Sequence, residues 1–190
     1  MTRLLSSRAV MTVILLSLWL SGCETKRGPD VSGIDIEKPG IKRYEAKLFS
    51  LHPDSVAQGL ERLADDYSIF IGENYRDTLS VIQILDFITA GINRDLAAGV
   101  QEKYPDVGWL EEDLTGLFRH VKYYFPDFQP PEVYTYVSGM AYDEPVFYAD
   151  SVLIIALDMF LGEDHPLYRQ SGLPYYRIRR MTNEHMLPEI

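Results

Sequence analysis

The sequence predicts an α+β fold, and three observations carry that prediction. Two segments place apolar residues at the 4-3-4-3 spacing that lines one helix face: Val56, Leu60, Leu63, Tyr67 and Phe70, then Leu110, Leu114, Leu117, Val121 and Tyr124. Further on, Glu132 to Ser138 alternates Val133, Thr135 and Val137 with Tyr134 and Tyr136, which suits a strand with two populated faces. Ser151 to Leu157 is a near-continuous apolar run between Asp150 and Asp158, the pattern of a central strand covered on both sides. With 46% apolar and 24% charged residues in 190, the chain has the composition of one globular domain.

The elements follow in order. Arg3 and Arg8 precede the apolar stretch Ala9 to Leu20, which is too short to cross a bilayer comfortably and has the make-up of a cleaved export signal, assigned to residues 1–22. Leu20-Ser21-Gly22-Cys23 then resembles the lipobox of bacterial lipoproteins, in which the cysteine thiol carries a diacylglyceryl group and the new amino end is usually acylated with palmitate-like chains. At ~0.8 kcal/mol per buried methylene, one sixteen-carbon chain would contribute on the order of 12 kcal/mol before the cost of confining the protein. Cys23 is the single cysteine, so no internal disulfide forms. Residues 23–40, with Gly28, Pro29, Gly33, Pro39 and Gly40, read as the lipidated end and a polar tether reaching up to roughly 50 Å. The folded domain is assigned to residues 41–190.

Within it, Ile41 to Leu51 is expected to be an extended opening segment that stops at His52-Pro53. A helix should start near Asp54 or Ser55, either of which can cap it. Thr78 to Ile92 is rich in apolar residues all round and reads as a more buried helix stopped at Gly91. Asn93 to Tyr104 is a further helix, and Asp106 and Gly108 open the one that Pro126 ends. After the two strands, Pro174 to Thr182 forms a short helix. Pro188-Glu189-Ile190 reads as the first turn of another, so the natural chain is expected to continue past Ile190.

Charge and motifs then narrow the chemistry. Removing residues 1–22, with their two arginines, leaves 16 basic and 28 acidic residues and a formal charge of −12, which argues against nucleic acid and against Coulombic adhesion to anionic lipid. The four histidines, His52, His120, His165 and His185, include no pair at HExxH spacing; His185 with Glu184 and Glu189 is the nearest local grouping, and Pro188 disfavours one helix through them. No metal or cofactor site is assigned. Asp143, Glu144, Asp150 and Asp158 bracket the two strands, and a pair of them at glycosidase separation would be needed for catalysis; acids at strand ends are more often solvated turn formers. Ser138 and Ser151 lack the glycines of a nucleophile elbow, and no phosphate-binding glycine loop occurs. Tyr123, Tyr124, Phe125, Tyr134, Tyr136, Tyr142 and Tyr148 could face sugar, although packing at the core and its rim accounts for tyrosine more simply. Arg177, Arg179 and Arg180 form a basic cluster that would suit an anionic partner or a solvated helix end.

Three stretches, LFRHVKYYFPDFQPPEVYTYVSG from Leu117, VFYADSVLIIALDMFLGEDHPLYR from Val146 and LPYYRIRRMTNEHMLPEI from Leu173, together resemble the GldB family of gliding-motility lipoproteins of Bacteroidetes. The resemblance implies a cell-envelope lipoprotein that supports surface gliding and the associated export machinery; with no catalytic set among the motifs, a non-enzymatic component is the favoured reading. It implies partners among those machinery proteins and a lipid anchor in a membrane, the outer one being favoured because no aspartate follows Cys23. The family's fold is held to be distantly similar to zincin metallopeptidases, so a degenerate zincin-like domain, incomplete at its C-terminus, is the expected architecture. A zincin-like peptidase with its metal helix past residue 190 and a surface glycan-binding lipoprotein are the alternatives.

Overall fold

The computed structural model describes residues 28–190. The signal segment 1–22, the lipid attachment residue Cys23 and the first tether residues 24–27 lie outside the described residues. One compact unit spans Ile34–Ile190. Residues 34–40, assigned to the tether, belong to it: Ile36 is buried among the core side chains, and Lys38 Nζ lies 3.2 Å from Glu111 Oε2. Glycine and proline content suggested a solvated linker, but the alternation of Ile34 and Ile36 with acids lets one edge of this segment bury apolar surface.

The element order is β1 (Ile41–Arg43), α1 (Tyr44–Leu48), a 3-10 turn (Pro53–Ser55), α2 (Val56–Leu63), α3 (Ser68–Ile71), α4 (Thr78–Thr89), α5 (Gly91–Lys103), α6 (Gly108–Tyr124), β2 (Glu132–Tyr136), β3 (Val146–Ala149), β4 (Val152–Ala156), a second 3-10 turn (Leu157–Met159), α7 (Pro166–Gln170), α8 (Tyr175–Ile178) and α9 (Asn183–Glu189). The four strands form one mixed sheet in the order β1-β2-β4-β3. β1 and β2 are parallel with Ile41 beside Val133, β2 and β4 are parallel with Glu132 beside Val152, and β3 runs antiparallel to β4 with Val146 beside Ile155. The α+β expectation is met, and the two predicted strands occupy the two interior positions.

Period-two alternation divides the core between the two sheet faces. Val133, Val137, Leu153 and Ile155 pack with Leu96 and Val100 of α5 and with Leu110, Leu114 and Phe118 of α6. Tyr134, with Tyr136 and Val152 at its margin, packs with Tyr44, Leu48, Val56, Leu60 and Tyr67. The Tyr44 ring stacks on Phe70 at 4.4 Å between centroids, and Phe70 meets Tyr134 edge-on at 5.8 Å. Burying a side chain such as Leu153 contributes roughly 1.5–3 kcal/mol relative to leaving it in water.

Several local readings need correction. The opening segment keeps only three strand residues before it coils into α1. The first apolar stripe is interrupted between Leu63 and Ser68, yet Val56, Leu60 and Tyr67 still reach one core, so the spacing survives the break. Neither Asp54 nor Ser55 supplies the expected side-chain cap; His52 Nδ1 accepts from the Asp54 backbone N–H instead. α4 is not the buried helix that its composition suggested. Ile88 is its one buried residue, while Leu79 and Ile82 are 62% and 46% exposed. Gly91 does not stop it: Ala90, at ψ 128°, separates α4 from α5, which Gly91 begins. Pro188 and Glu189 close α9 rather than opening a new helix; the proline has no N–H to give the Glu184 carbonyl, so the helix loses a backbone bond in its last turn and ends there.

One polar group is buried where the sheet begins. Glu45, 3% exposed, accepts from Arg43 Nε at 2.7 Å and from Thr135 Oγ1 at 2.9 Å, and Arg43 Nη1 donates to Pro105 O at 3.1 Å. This joins β1, α1, β2 and the α5–α6 connection through one carboxylate. Arg43→Ala should destabilise the fold by about 3 kcal/mol, because Glu45 is left buried without its cation. The fall in the urea unfolding midpoint measures it, and a change under 1 kcal/mol would show that the pair carries little.

Candidate functional site

The clearest assembly of polar groups lies past the carboxyl ends of β2 and β4. Both strands run the same way, so both chains leave the sheet at this end, the side where parallel sheets usually carry their sites. β2 continues through the buried Val137 to Ser138, then turns at Gly139 and Met140, at φ 71° and 69°. Gly139 tolerates this without strain, and a side chain on it would stand 3.1 Å from Asn93 Oδ1 and 3.3 Å from the Phe87 ring. Met140 adopts the left-handed conformation at a cost, which the bonds below offset.

Those bonds come from Asp158, in the 3-10 turn after β4 and fully buried. Its Oδ1 accepts from Ser138 N at 2.8 Å, and its Oδ2 accepts from Met140 N at 2.9 Å and from Ser138 Oγ at 3.0 Å. Ser138 Oγ in turn accepts from Ala141 N at 2.9 Å. Burial pushes the Asp158 carboxyl above its ordinary range, and the three donors work against that rise. The Asp158 carbonyl accepts from the Tyr168 hydroxyl, which also accepts from Leu161 N at 2.9 Å. Tyr104 donates to Phe160 O at 2.5 Å and Lys103 to Leu161 O at 2.7 Å, so α5 and α7 both clamp the segment after β4.

Beside this knot is a cleft of about 280 Å³, with Met159, Phe160 and Met181 on its floor and Tyr142, Asp143, Tyr176, Arg177, Arg180 and Glu189 around it. Arg177 donates to Tyr142 O at 3.1 Å, lies 3.4 Å from Asp143 Oδ1 and sits over the Tyr142 ring. Arg180 pairs with Glu189 at 2.6 Å. Two of the three arginines singled out from the sequence therefore share one cleft, each with a carboxylate beside it.

The other candidates disperse. Asp150 takes φ 52° in the two-residue turn joining β3 and β4, at the end of β4 away from Asp158; five strand residues put roughly 16 Å between these ends. Asp143 serves Arg177, and Glu144 is exposed. Asp150 therefore stands apart from Asp158, and Asp143 is drawn to a guanidinium. His52 caps a turn, His120 bonds Gly116 O on its own helix at 2.8 Å, and His185 meets Thr182 Oγ1 at 2.8 Å, while Glu189 turns to Arg180. His165 packs against the Tyr168 ring at 5.2 Å. Among the described residues no three His, Cys, Asp or Glu side chains group as metal ligands. The tyrosines divide: Tyr134 is buried and hydrogen-bonded to Glu132, whereas Tyr123, Tyr124, Tyr142 and Tyr148 are exposed. Tyr104, Tyr168 and Lys103 escaped the sequence reading, since nothing in their spacing marks them as sharing one peptide segment.

Two measurements check this arrangement. Asp158→Asn leaves a single acceptor oxygen where donors converge on both, so one backbone N–H faces an amide and stability should fall by about 1–3 kcal/mol. His165 is depressed below its ordinary 6.5, first by burial and then by the charge of Lys103. Below pH 6.5 the unfolded chain takes up a proton that the folded chain resists, so stability declines from there down through the depressed folded value. His165→Gln should lose that slope in urea titrations run at a series of pH values; an unchanged slope would assign it to other groups.

A family model described as "Gliding motility protein GldB" matches residues 24–190. No curated protein and no solved structure matches the chain.

Proposed function

The chain belongs to the GldB family of gliding motility proteins, and on that premise we propose that it is a lipid-anchored, non-enzymatic component of the gliding apparatus and its associated export machinery. The observation that carries the reading is the family match over residues 24–190, which begins at the residue after Cys23. A gliding-motility lipoprotein is a membrane-associated protein of the cell envelope. Among the described residues no helix is long and apolar enough to cross a membrane, and a thioether-linked diacylglyceryl group on Cys23 would supply the attachment, at the outer membrane by the absence of aspartate after it.

The folded unit acts as an interaction module. Support for a role without catalysis comes from how the polar groups are engaged: Asp158 and Ser138 hold a loop, and the histidines cap turns or pack on neighbours. The cleft with Arg177, Arg180, Asp143 and Glu189 presents both signs of charge beside exposed tyrosines, a surface suited to a polar segment of another machinery protein. In a gliding strain, Cys23→Ser should lose incorporation of radioactive palmitate and lose surface spreading. Labelling that persists in the variant would refute the anchor, and spreading that survives deletion of the whole protein would refute the motility role.

A further inference from the structure

Where α4 bends into α5 the two helices leave a cleft of about 390 Å³, closed on its third side by α1 and the chain that follows it. Every residue of its lining falls between positions 45 and 101. α5 faces the cleft with Arg94, Ala97, Ala98 and Gln101, whose spacing keeps them on one stripe of the helix. The two alanines in the middle of that stripe leave the space open, and Phe49, Leu51 and Ile88 supply apolar walls. Size and make-up are those of a small-ligand site, mostly carbon with a few polar groups at set positions.

The hydrogen bonds still open to the lining decide the class of ligand. Ser50 Oγ donates to Lys47 O and Thr89 Oγ1 to Leu85 O, both at 2.7 Å, so neither hydroxyl proton is free for a ligand. Glu45 reaches the wall with its carboxylate already accepting from Arg43 and Thr135, and the Arg43 guanidinium meets its charge. Arg94 bonds through its backbone N–H to Ala90 O at 3.1 Å, and among the described residues its guanidinium has no partner, although the chain carries 28 acidic residues against 18 basic. The donors left unspent are thus the Arg94 guanidinium and the Gln101 amide. Seven residues of helix set them about 10 Å apart, with the alanines between.

We propose that this cleft binds a carboxylate that carries an apolar group of about the size of a leucine side chain. Arg94 takes the carboxylate through two parallel N–H bonds, the geometry in which a guanidinium holds a planar anion most strongly. The apolar group lies over Ala97 and Ala98, between Phe49, Leu51 and Ile88, and gains the free energy of leaving water. Gln101 then meets an amide or carbonyl at the far end of the ligand. A free organic acid and a protein segment with an acidic residue beside an apolar one present the same chemistry. The site depends on neither the lipid anchor nor the motility role of the preceding section.

The test is saturation-transfer NMR on the full lipidated protein in a neutral detergent, titrated with N-acetyl-leucine, with its uncharged amide and with a blocked tetrapeptide that sets leucine beside aspartate. The acid should bind roughly tenfold more tightly than the amide, and that gap should close in Arg94→Gln. Ala98→Leu, at an exposed helix position that leucine suits, should exclude all three probes while the urea midpoint stays unchanged. A tetrapeptide that outbinds the free acid identifies a protein segment as the source, and the reverse order identifies a small acid. Equal binding of acid and amide, a gap that Arg94→Gln leaves open, probes that still bind Ala98→Leu, or no saturable binding of any probe overturns the proposal. None of these results moves the palmitate or spreading assays, which read the anchor and the motility role separately.

Discussion

The parallel pairing of β2 with β4 constrains everything around it. Two neighbouring strands that run the same way cannot be joined by a tight turn, so the chain must leave at one end of the sheet and return to the other. Here the return is made by β3, which runs back antiparallel on the outer side of β4 before the two-residue turn at Asp150 and Ser151. The price of that route is an irregular stretch, residues 137–145, at the carboxyl ends of the strands. Asp158 ties it down: the residue just past β4 offers its carboxylate to the backbone just past β2, so the two parallel strands are joined at their ends as well as along their length. The cleft that carries Arg177 and Arg180 exists because this stretch is held in place.

Parallel strands also need both faces covered, and the sequence shows how each is served. The stripe on α6 is legible because it is long, bounded by Gly108 and Pro126, and packs on one face. β2 and β4 were legible because interior strands bury both sides and so read as β-branched or continuous apolar runs. β3 was not recognised, since Val146–Ala149 is a short edge strand with Phe147 and Tyr148 exposed, which leaves no alternation to read. α4 shows the converse failure. Its apolar content suggests burial, but neighbours cover only the side that carries Ile88, and Leu79 and Ile82 face water.

The candidate site was legible in part. The arginine cluster and Asp158 were both singled out from position alone, but their roles depend on distances that chain order does not encode. Asp158 looked like a solvated strand-end acid and proved to be fully buried, because the donors that satisfy it lie twenty residues earlier in the sequence. The pair Arg43 and Glu45 was missed for a different reason: charges two residues apart in a polar-looking opening segment give no hint that Thr135, ninety residues away, completes a buried cluster. The family assignment, by contrast, needed no single motif, and rests on order and combination across residues 24–190.

The one-residue joint at Ala90 has a mechanical consequence. Its φ of −58° and ψ of 128° lie in an ordinary extended well, so the bend between α4 and α5 costs no backbone strain at this residue. At the far end of α5, Lys103 and Tyr104 grip the carbonyls of Leu161 and Phe160, so the helix is fastened to the strap after β4 by side chains while Leu96 and Val100 lean on the sheet. A displacement of α5 would therefore be felt at that strap and at the sheet together.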